Sequence, residues 1–376
     1  MNSGRLKEVA AVFLKLGVIA FGGPAAHIAM MEEEVVNKRK WITREYFLDL
    51  IGATNLIPGP NSTEMTMHCG HERAGIPGLF VAGICFILPA AFITSIFAWF
   101  YVEYGKLPLV EPFFYGIKPA IIAIIISAIY NLGKKSLKNR ALGVIGAVVI
   151  LLSFVGVNEI YALLGAGVIA IMWFSGKDIL SSDKASAFSP LFIFSSTLFF
   201  TGTSLGGLFL IFFKIGATLY GSGYVLVAYL QAELIDKTQW ITQQQLLDAV
   251  AIGQFTPGPL FTTATFIGYQ IAGFWGALVA TAGIFLPSFL FVLLINPIIP
   301  KLRNSKIMAS FLDGVNIGAI AIMITVTFEL GSAVLTDWKA LLIFGLSLLL
   351  VFGYKKLNMT WIVLGGALSG YLLDLF

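Results

Sequence analysis

Pro58-Gly59-Pro60 and Pro257-Gly258-Pro259 stand 199 positions apart (257 − 58 = 199), and the residues around them match at the same offset. Phe13 falls on Phe212, Lys15 on Lys214, Gly17 on Gly216, Gly22 on Gly221, Trp41-Ile42-Thr43 on Trp240-Ile241-Thr242, and Asp49 on Asp248. One residue is then lost and the register continues: Gly70 meets Gly268, Ala74-Gly75 meets Ala272-Gly273, Pro89 meets Pro287 and Gly116 meets Gly314. A chain made of two diverged copies of one unit has to fold as two like halves. In a very apolar chain, such halves build a shared binding site at their interface, as membrane transporters do.

Composition decides the solvent. Hydrophobic residues make up 58% of the chain and charged residues 12%, against about a quarter charged in a soluble domain. Apolar runs over 76–102, 120–132, 141–157, 160–174 and 340–352 approach or exceed the roughly 20 helical residues that cross a bilayer. The fold class expected is an all-α integral membrane protein, multi-pass and in the plasma membrane. The net charge of +4 comes from Lys and Arg gathered in short loops, the positive-inside pattern, and not from an arm for nucleic acid. Cys69 and Cys85 lie in apolar stretches and have no counterpart in the second copy, so no disulfide is expected. The N-terminus has no small-residue cleavage site and reads as a first membrane helix.

Each copy holds six apolar segments. In the first they cover roughly 8–30, 44–69, 76–102, 112–132, 141–157 and 159–174; in the second, roughly 205–229, 243–268, 274–297, 308–330, 338–353 and 358–374. The first repeat is 1–174 and the second 205–376, joined by a linker, 175–204, that contains a short apolar run at 190–200. Basic loops of one copy map to acidic or nearly neutral loops of the other. Lys38-Arg39-Lys40 and Lys134-Lys135 correspond to the loops of Glu233 and Asp337, and Glu103 and Glu159 to those of Lys301 and Lys355-Lys356. Opposite insertion would produce this, so the repeats are expected to be inverted. Inversion needs an odd number of crossings per half. The second segment resolves the count, because two prolines break it at membrane depth and make it re-entrant. The expectation is about ten full spans plus two re-entrant segments, with twelve or thirteen spans as the alternative. On this count Arg5 and Lys7 face outward, against the rule.

The broken segments carry the strongest chemical signal. A helix that begins just after Pro-Gly-Pro directs free N–H groups and a positive dipole end into the turn, which favours anions. In the first copy Asn55, Pro58, Gly59, Pro60, Asn61, Ser62 and Thr63 make this site; in the second, Gln254, Thr256, Pro257, Gly258, Pro259, Thr262 and Thr263. The bland alternative is a kink. Gly22-Gly23-Pro24 and Gly221-Ser222-Gly223 are a second matched pair of breaks, seven residues after Lys15 and Lys214 (22 − 15 = 7). Lysine and break share one helix face, so either lysine could lend charge to a dianion, or simply snorkel to the interface. Asp49 and Asp248, with Glu64 in the first copy alone, are candidates for coupling or gating, or else interfacial carboxylates. His68, His71 and Glu72 have the spacing of a metal motif, but the second copy reads Gly268-Tyr269-Gln270 there. No metal or cofactor is expected, from this motif or from His27. A membrane enzyme or lipid-handling protein built on those residues is a rival reading, as is a passive anion channel.

At these residues the sequence resembles the chromate ion transporter family in its long two-domain form. The resemblance rests on Phe13-Leu14-Lys15-Leu16-Gly17 through Phe21-Gly22-Gly23-Pro24-Ala25-Ala26-His27-Ile28, and on Asn55-Leu56-Ile57-Pro58-Gly59-Pro60. In the second copy it rests on Gln254-Phe255-Thr256-Pro257-Gly258-Pro259 and Gly283-Ile284-Phe285-Leu286-Pro287-Ser288-Phe289. It implies a secondary transporter that exports chromate, a tetrahedral dianion like sulfate, coupled to the proton gradient. The partners implied are chromate or a related oxyanion and membrane lipid, with sulfate or molybdate as alternative cargo and a homodimer left open.

Overall fold

The computed structural model describes residues 2–20, 23–55, 57–105, 107, 110–180, 204–220, 223–295, 306–354, 357 and 359–375. These hold fourteen α-helices and no strand. The first half contains α1 Asn2–Ile19, α2 Gly23–Met31 continued by a π-helical turn Glu32–Lys38, α3 Arg44–Thr54, α4 Asn61–Tyr104, α5 Glu111–Ser136, α6 Arg140–Phe154 and α7 Glu159–Leu180. The second half repeats the plan. It has α8 Leu205–Thr218, a 3-10 turn Gly223–Val225 leading into α9 Leu226–Leu230, a π-helical turn Gln231–Lys237 and α10 Gln243–Phe255. A 3-10 turn Leu260–Thr262, α11 Thr263–Ile295, α12 Lys306–Val334, α13 Trp338–Gly353 and α14 Met359–Asp374 complete it. The matched Trp-Ile-Thr motifs are helix starts: the hydroxyls of Thr43 and Thr242 accept the N–H groups of Tyr46 and Gln245 and cap α3 and α10.

Local breaks fold most of each half's N-terminal portion back on itself. α4 is two helices joined at Ala74-Gly75, where Gly75 takes φ 67° and ψ −157°. A Cβ on Gly70 would strike the backbone of Gly78, although eight residues of continuous helix rise about 12 Å. The arms 61–73 and 76–104 are therefore antiparallel. Gly273, at φ 60°, makes the same turn in α11, with Gly268 packed on Gly276.

α1 and α2 double back in the same way. Lys15 Nζ lies 2.9 Å from Glu34, and Glu8 takes Arg39 at 3.5 Å, the Trp41 indole at 3.2 Å and Arg73 at 2.6 Å. Residues 8, 39, 41 and 73 are thus on one face. Each half begins with two hairpins whose tips meet inside the protein, α1 with α2 and α3 with the first arm of α4, and four crossing helices follow.

The all-α, two-repeat architecture is as expected, but the count is revised. The segment 8–30, expected as a full crossing, stops at Ile19 and restarts at Gly23, because Gly22-Gly23-Pro24 cannot carry the hydrogen-bond ladder through. Among the described residues four elements per half then run between the two faces, of which α4, α5, α11 and α12 are long and apolar enough to cross a membrane and the others are shorter apolar helices. This also removes the charge anomaly. Arg5 and Lys7 lie on the same face as Lys38, Arg39, Lys40, Arg44 and Arg73, and α4 and α5 return the chain to that face at Lys134, Lys135 and Lys138. The basic face is the cytoplasmic one.

Two cross-half contacts establish inversion. The Tyr115 hydroxyl, near the start of α5, donates to Asp337 at 2.5 Å, and Lys138, before α6, meets Asp313 of α12 at 2.6 Å. Parallel repeats would put the partners of each pair on opposite faces. The crossing helices swap between halves: α5 packs on α13 and α14, and α12 on α6 and α7. Small residues permit both crossings, with Gly116 against Gly366 and Gly370, and Gly314 against Ala166 and Ala170. α7 runs toward the basic face whereas α8 sets out from the other; the run 190–200 lies outside the described residues.

The hairpins break this symmetry. α9 and α10 are buried against α12 and against α5 and α14 respectively. Their counterparts α2 and α3 pack chiefly within their own half, in a separate core of Val12, Phe13, Leu16, Phe47, Leu50, Met65 and Phe86. Single cysteines replacing Arg5 and Lys135 should react with an impermeant maleimide only from the cytoplasmic side, and Trp338→Cys only from outside. Labelling of 135 and 338 from one side would refute the inverted fold.

Candidate functional site

The tips of the hairpins meet in a crossed pair of hydrogen bonds. The Gly59 N–H donates to the Leu219 carbonyl at 2.8 Å, and the Gly258 N–H donates to the Ala20 carbonyl at 2.8 Å. Ala20 and Leu219 stand just beyond the ends of α1 and α8. Each Pro-Gly-Pro turn therefore satisfies a carbonyl that a helix stopped inside the membrane leaves exposed. Both glycines take positive φ, 135° and 89°, where an L side chain is strained. His27 Nε2 also donates to the Ala20 carbonyl at 3.0 Å, and the Tyr229 hydroxyl donates to Thr218 at 3.0 Å. His27 therefore braces a broken helix end.

The donors that remain are at the helix starts. Pro60 caps α4 without a side-chain bond, and the N–H groups of Thr63 and Glu64 go to the Pro60 carbonyl. Those of Asn61 and Ser62 have no partner among the described residues, and α4 starts with its positive end at the turn. Asn61 Nδ2 donates to Asn55 at 2.7 Å, so these two predicted residues stand together. Ser62 and Thr63 are buried, and the Thr63 hydroxyl has no partner. The second copy differs. Thr256, Thr262 and Thr263 donate to the carbonyls of Gly253, Pro259 and Leu260, which leaves those hydroxyls no hydrogen for an anion. The Gln254 side chain is half-buried and stands beside Tyr224. Of the other breaks, Pro24 lies in the first turn of α2 and Gly223 opens a 3-10 turn packed on Leu260, while Gly22, Gly221 and Ser222 lie outside the described residues.

The matched lysines sit away from these tips. Lys15 pairs with Glu34, and 54% of its side chain is exposed. Glu34 also takes Lys38 at 3.3 Å and Arg39 at 3.6 Å. Lys214 repeats the arrangement with Glu233, which also holds Lys237 at 2.5 Å. In both halves the lysine ties the first helix to the returning π-helical turn.

The cation inside the protein is one that the sequence reading passed over. Lys118, about two turns into the apolar α5, lies 3.7 Å from Asp248 Oδ1; the side chains are 10% and 2% exposed. At that distance the contact is an ion pair and not a hydrogen bond. The Tyr101 hydroxyl donates to Asp248 Oδ2 at 2.7 Å. This cluster binds α10 to α4 and α5 on the side away from the basic face. The first copy has no equivalent: Asp49 is half-buried on α3, and Asn316 occupies the place of Lys118 (118 + 198 = 316). A lysine in an apolar run was the available signal, hidden because it is not duplicated. Glu64 is fully buried and bonded to Ser288, also unforeseen, at 3.2 Å. A cavity of about 500 Å³ between α5 and α12 is lined chiefly by apolar groups such as Ile122, Ile126, Ile324 and Phe328, with no charged side chain in its lining.

The family model described as chromate transporter matches residues 7–171 and 206–371. The chain belongs to the chromate transporter family. It is 33% identical to a chromate transport protein of Cupriavidus metallidurans, over 97% of this chain and 92% of the relative. It is 30% identical to a probable chromate transport protein of Synechococcus elongatus (97% and 95% covered) and 30% identical to an uncharacterized transporter of Methanocaldococcus jannaschii (96% and 92% covered). No solved structure matches the chain. The two family-model matches coincide with the two repeats, so each crossed hydrogen bond of this transporter joins one family unit to the other.

Gly258→Ala would place a Cβ 2.6 Å from Ala90 at positive φ, a cost of about 1–3 kcal/mol; the thermal unfolding temperature in detergent should fall accordingly, whereas Gly52→Ala, in open space on helix α3, should not lower it. Lys118→Met leaves Asp248 buried without its cation and should cost about 3–5 kcal/mol. Adding Asp248→Asn should restore most of that loss; equal loss in the single and double variants would dismiss the ion pair as a stabilising contact.

Proposed function

We propose that this chromate transporter exports chromate, or another tetrahedral oxyanion, across the plasma membrane, coupled to the proton gradient. The observation that carries the reading is the crossed pair of bonds from Gly59 and Gly258. They bring the tips of both halves' hairpins to one place, with helix N-termini there to meet a dianion. The anion is bound at the first-copy tip by the N–H groups of Asn61 and Ser62, with Asn55 and Thr63 beside them. Gly23, Pro24 and the second-copy turn shape the surrounding backbone.

Alternating access follows from the broken symmetry. The second half's hairpins are packed against the crossing helices and held by Lys118 and Asp248, while the first half's are not, which suits a state open toward the cytoplasm. Opening outward requires the Lys118–Asp248 contact to part, so Asp248 and Lys118 act as an outer gate. Lys15 and Lys214 hold the hairpins in shape and do not ligate the anion.

Chromate uptake into inside-out vesicles carrying the protein tests the reading. Uptake should change with an imposed pH gradient and should fall with excess sulfate. Uptake that ignores the pH gradient but follows voltage would favour a passive anion channel. No uptake of chromate, with competition-sensitive uptake of sulfate or molybdate, would reassign the cargo.

A further inference from the structure

The two copies of the Pro-Gly-Pro turn differ in one chemical respect. In the first, a side chain on Gly59 would strike both the Glu64 carboxylate and the Ser288 hydroxyl, so carboxyl and hydroxyl lie against the turn. In the second, Thr263 stands in place of Glu64 (64 + 199 = 263) and Ala90 in place of Ser288 (288 − 198 = 90). Gly258 there lies against the Ala90 methyl. Glu64 is fully buried, its Oε1 accepts only from Ser288, and its Oε2 has no partner among the described residues.

No cation among the described residues is paired with this carboxyl. α11 presents Ser288, and Tyr220, after α8, faces it electrostatically. On α4 itself His68 lies one turn further on. On the neighbouring elements, His27 of α2 is bonded to Ala20, Asp49 is half-buried on α3, and Lys15 of α1 is paired with Glu34. A carboxylate stripped of water and given one hydroxyl is costly, and a proton removes the cost. Glu64 also occupies the first turn of α4, where the helix end favours one anion. An ionised Glu64 and a dianion would share that turn as like charges.

We propose that Glu64, held by Ser288, is the proton-binding site of the transporter, and that its protonation is the precondition for a dianion to bind at the first-copy turn. The proposal rests on the transport reading and adds a direction to the coupling. Proton and anion travel together, so a dianion leaves with one net negative charge: an inside-negative potential favours this direction and an acid exterior opposes it.

The test uses the purified full chain in nanodiscs, with labelled sulfate and labelled chromate as probes, and compares wild type with Glu64→Gln. The anion's own titration is common to both proteins and cancels. Wild-type affinity should fall about tenfold per pH unit above the carboxyl's titration relative to the variant, and anion addition should draw protons from weakly buffered solution in wild type only. Equal pH dependence and equal proton uptake in the two proteins would overturn the proposal while leaving transport intact. Failure of wild type to bind either anion at any pH would instead overturn the transport reading. The infrared band of a protonated carboxyl needs no anion: its loss in Glu64→Gln supports the proton site, and its absence from wild type at low pH defeats it.

Discussion

Two backbone hydrogen bonds hold the centre of this protein together. A helix that stops inside a membrane leaves carbonyls that neither water nor lipid can satisfy. Here the carbonyls of Ala20 and Leu219 each accept an N–H from a glycine of the opposite repeat. Each half's broken first helix is thus completed by a turn of the other half. The glycines are free to serve because their flanking prolines have no N–H and their own backbone takes positive φ.

Around that centre the repeats are alike in frame and unlike in charge. The crossing helices exchange partners through matched small residues at Gly116 and Gly314. The charged groups inside are not matched. Lys118 and Asp248 pair on the side away from the basic face, and Glu64 with Ser288 stands at the first-copy turn, where the second copy has Thr263 and Ala90. A symmetric frame allows two equivalent states, and unmatched charges give each state its own chemistry. The matched lysines show the reverse. Lys15 and Lys214 make the same ion pair in each half, from the first helix to the returning turn.

By itself the sequence determined the membrane setting, the two repeats, their inversion and the breaks at both turns. These follow from hydropathy, loop charge and the fixed dihedral demands of Pro and Gly, all of which are local. The repeated Trp-Ile-Thr was legible as a match between the copies, but its role in capping α3 and α10 came from the structure. Only the tertiary structure decided that the first segment doubles back, because the evidence lies in Glu8 meeting Arg39 and Arg73, residues far apart in sequence. It alone sent Lys15 and Lys214 to the hairpin flanks, brought Lys118 to Asp248 and set Ser288 against Glu64. A buried charge is defined by what surrounds it, and in this chain the surroundings come from the other half.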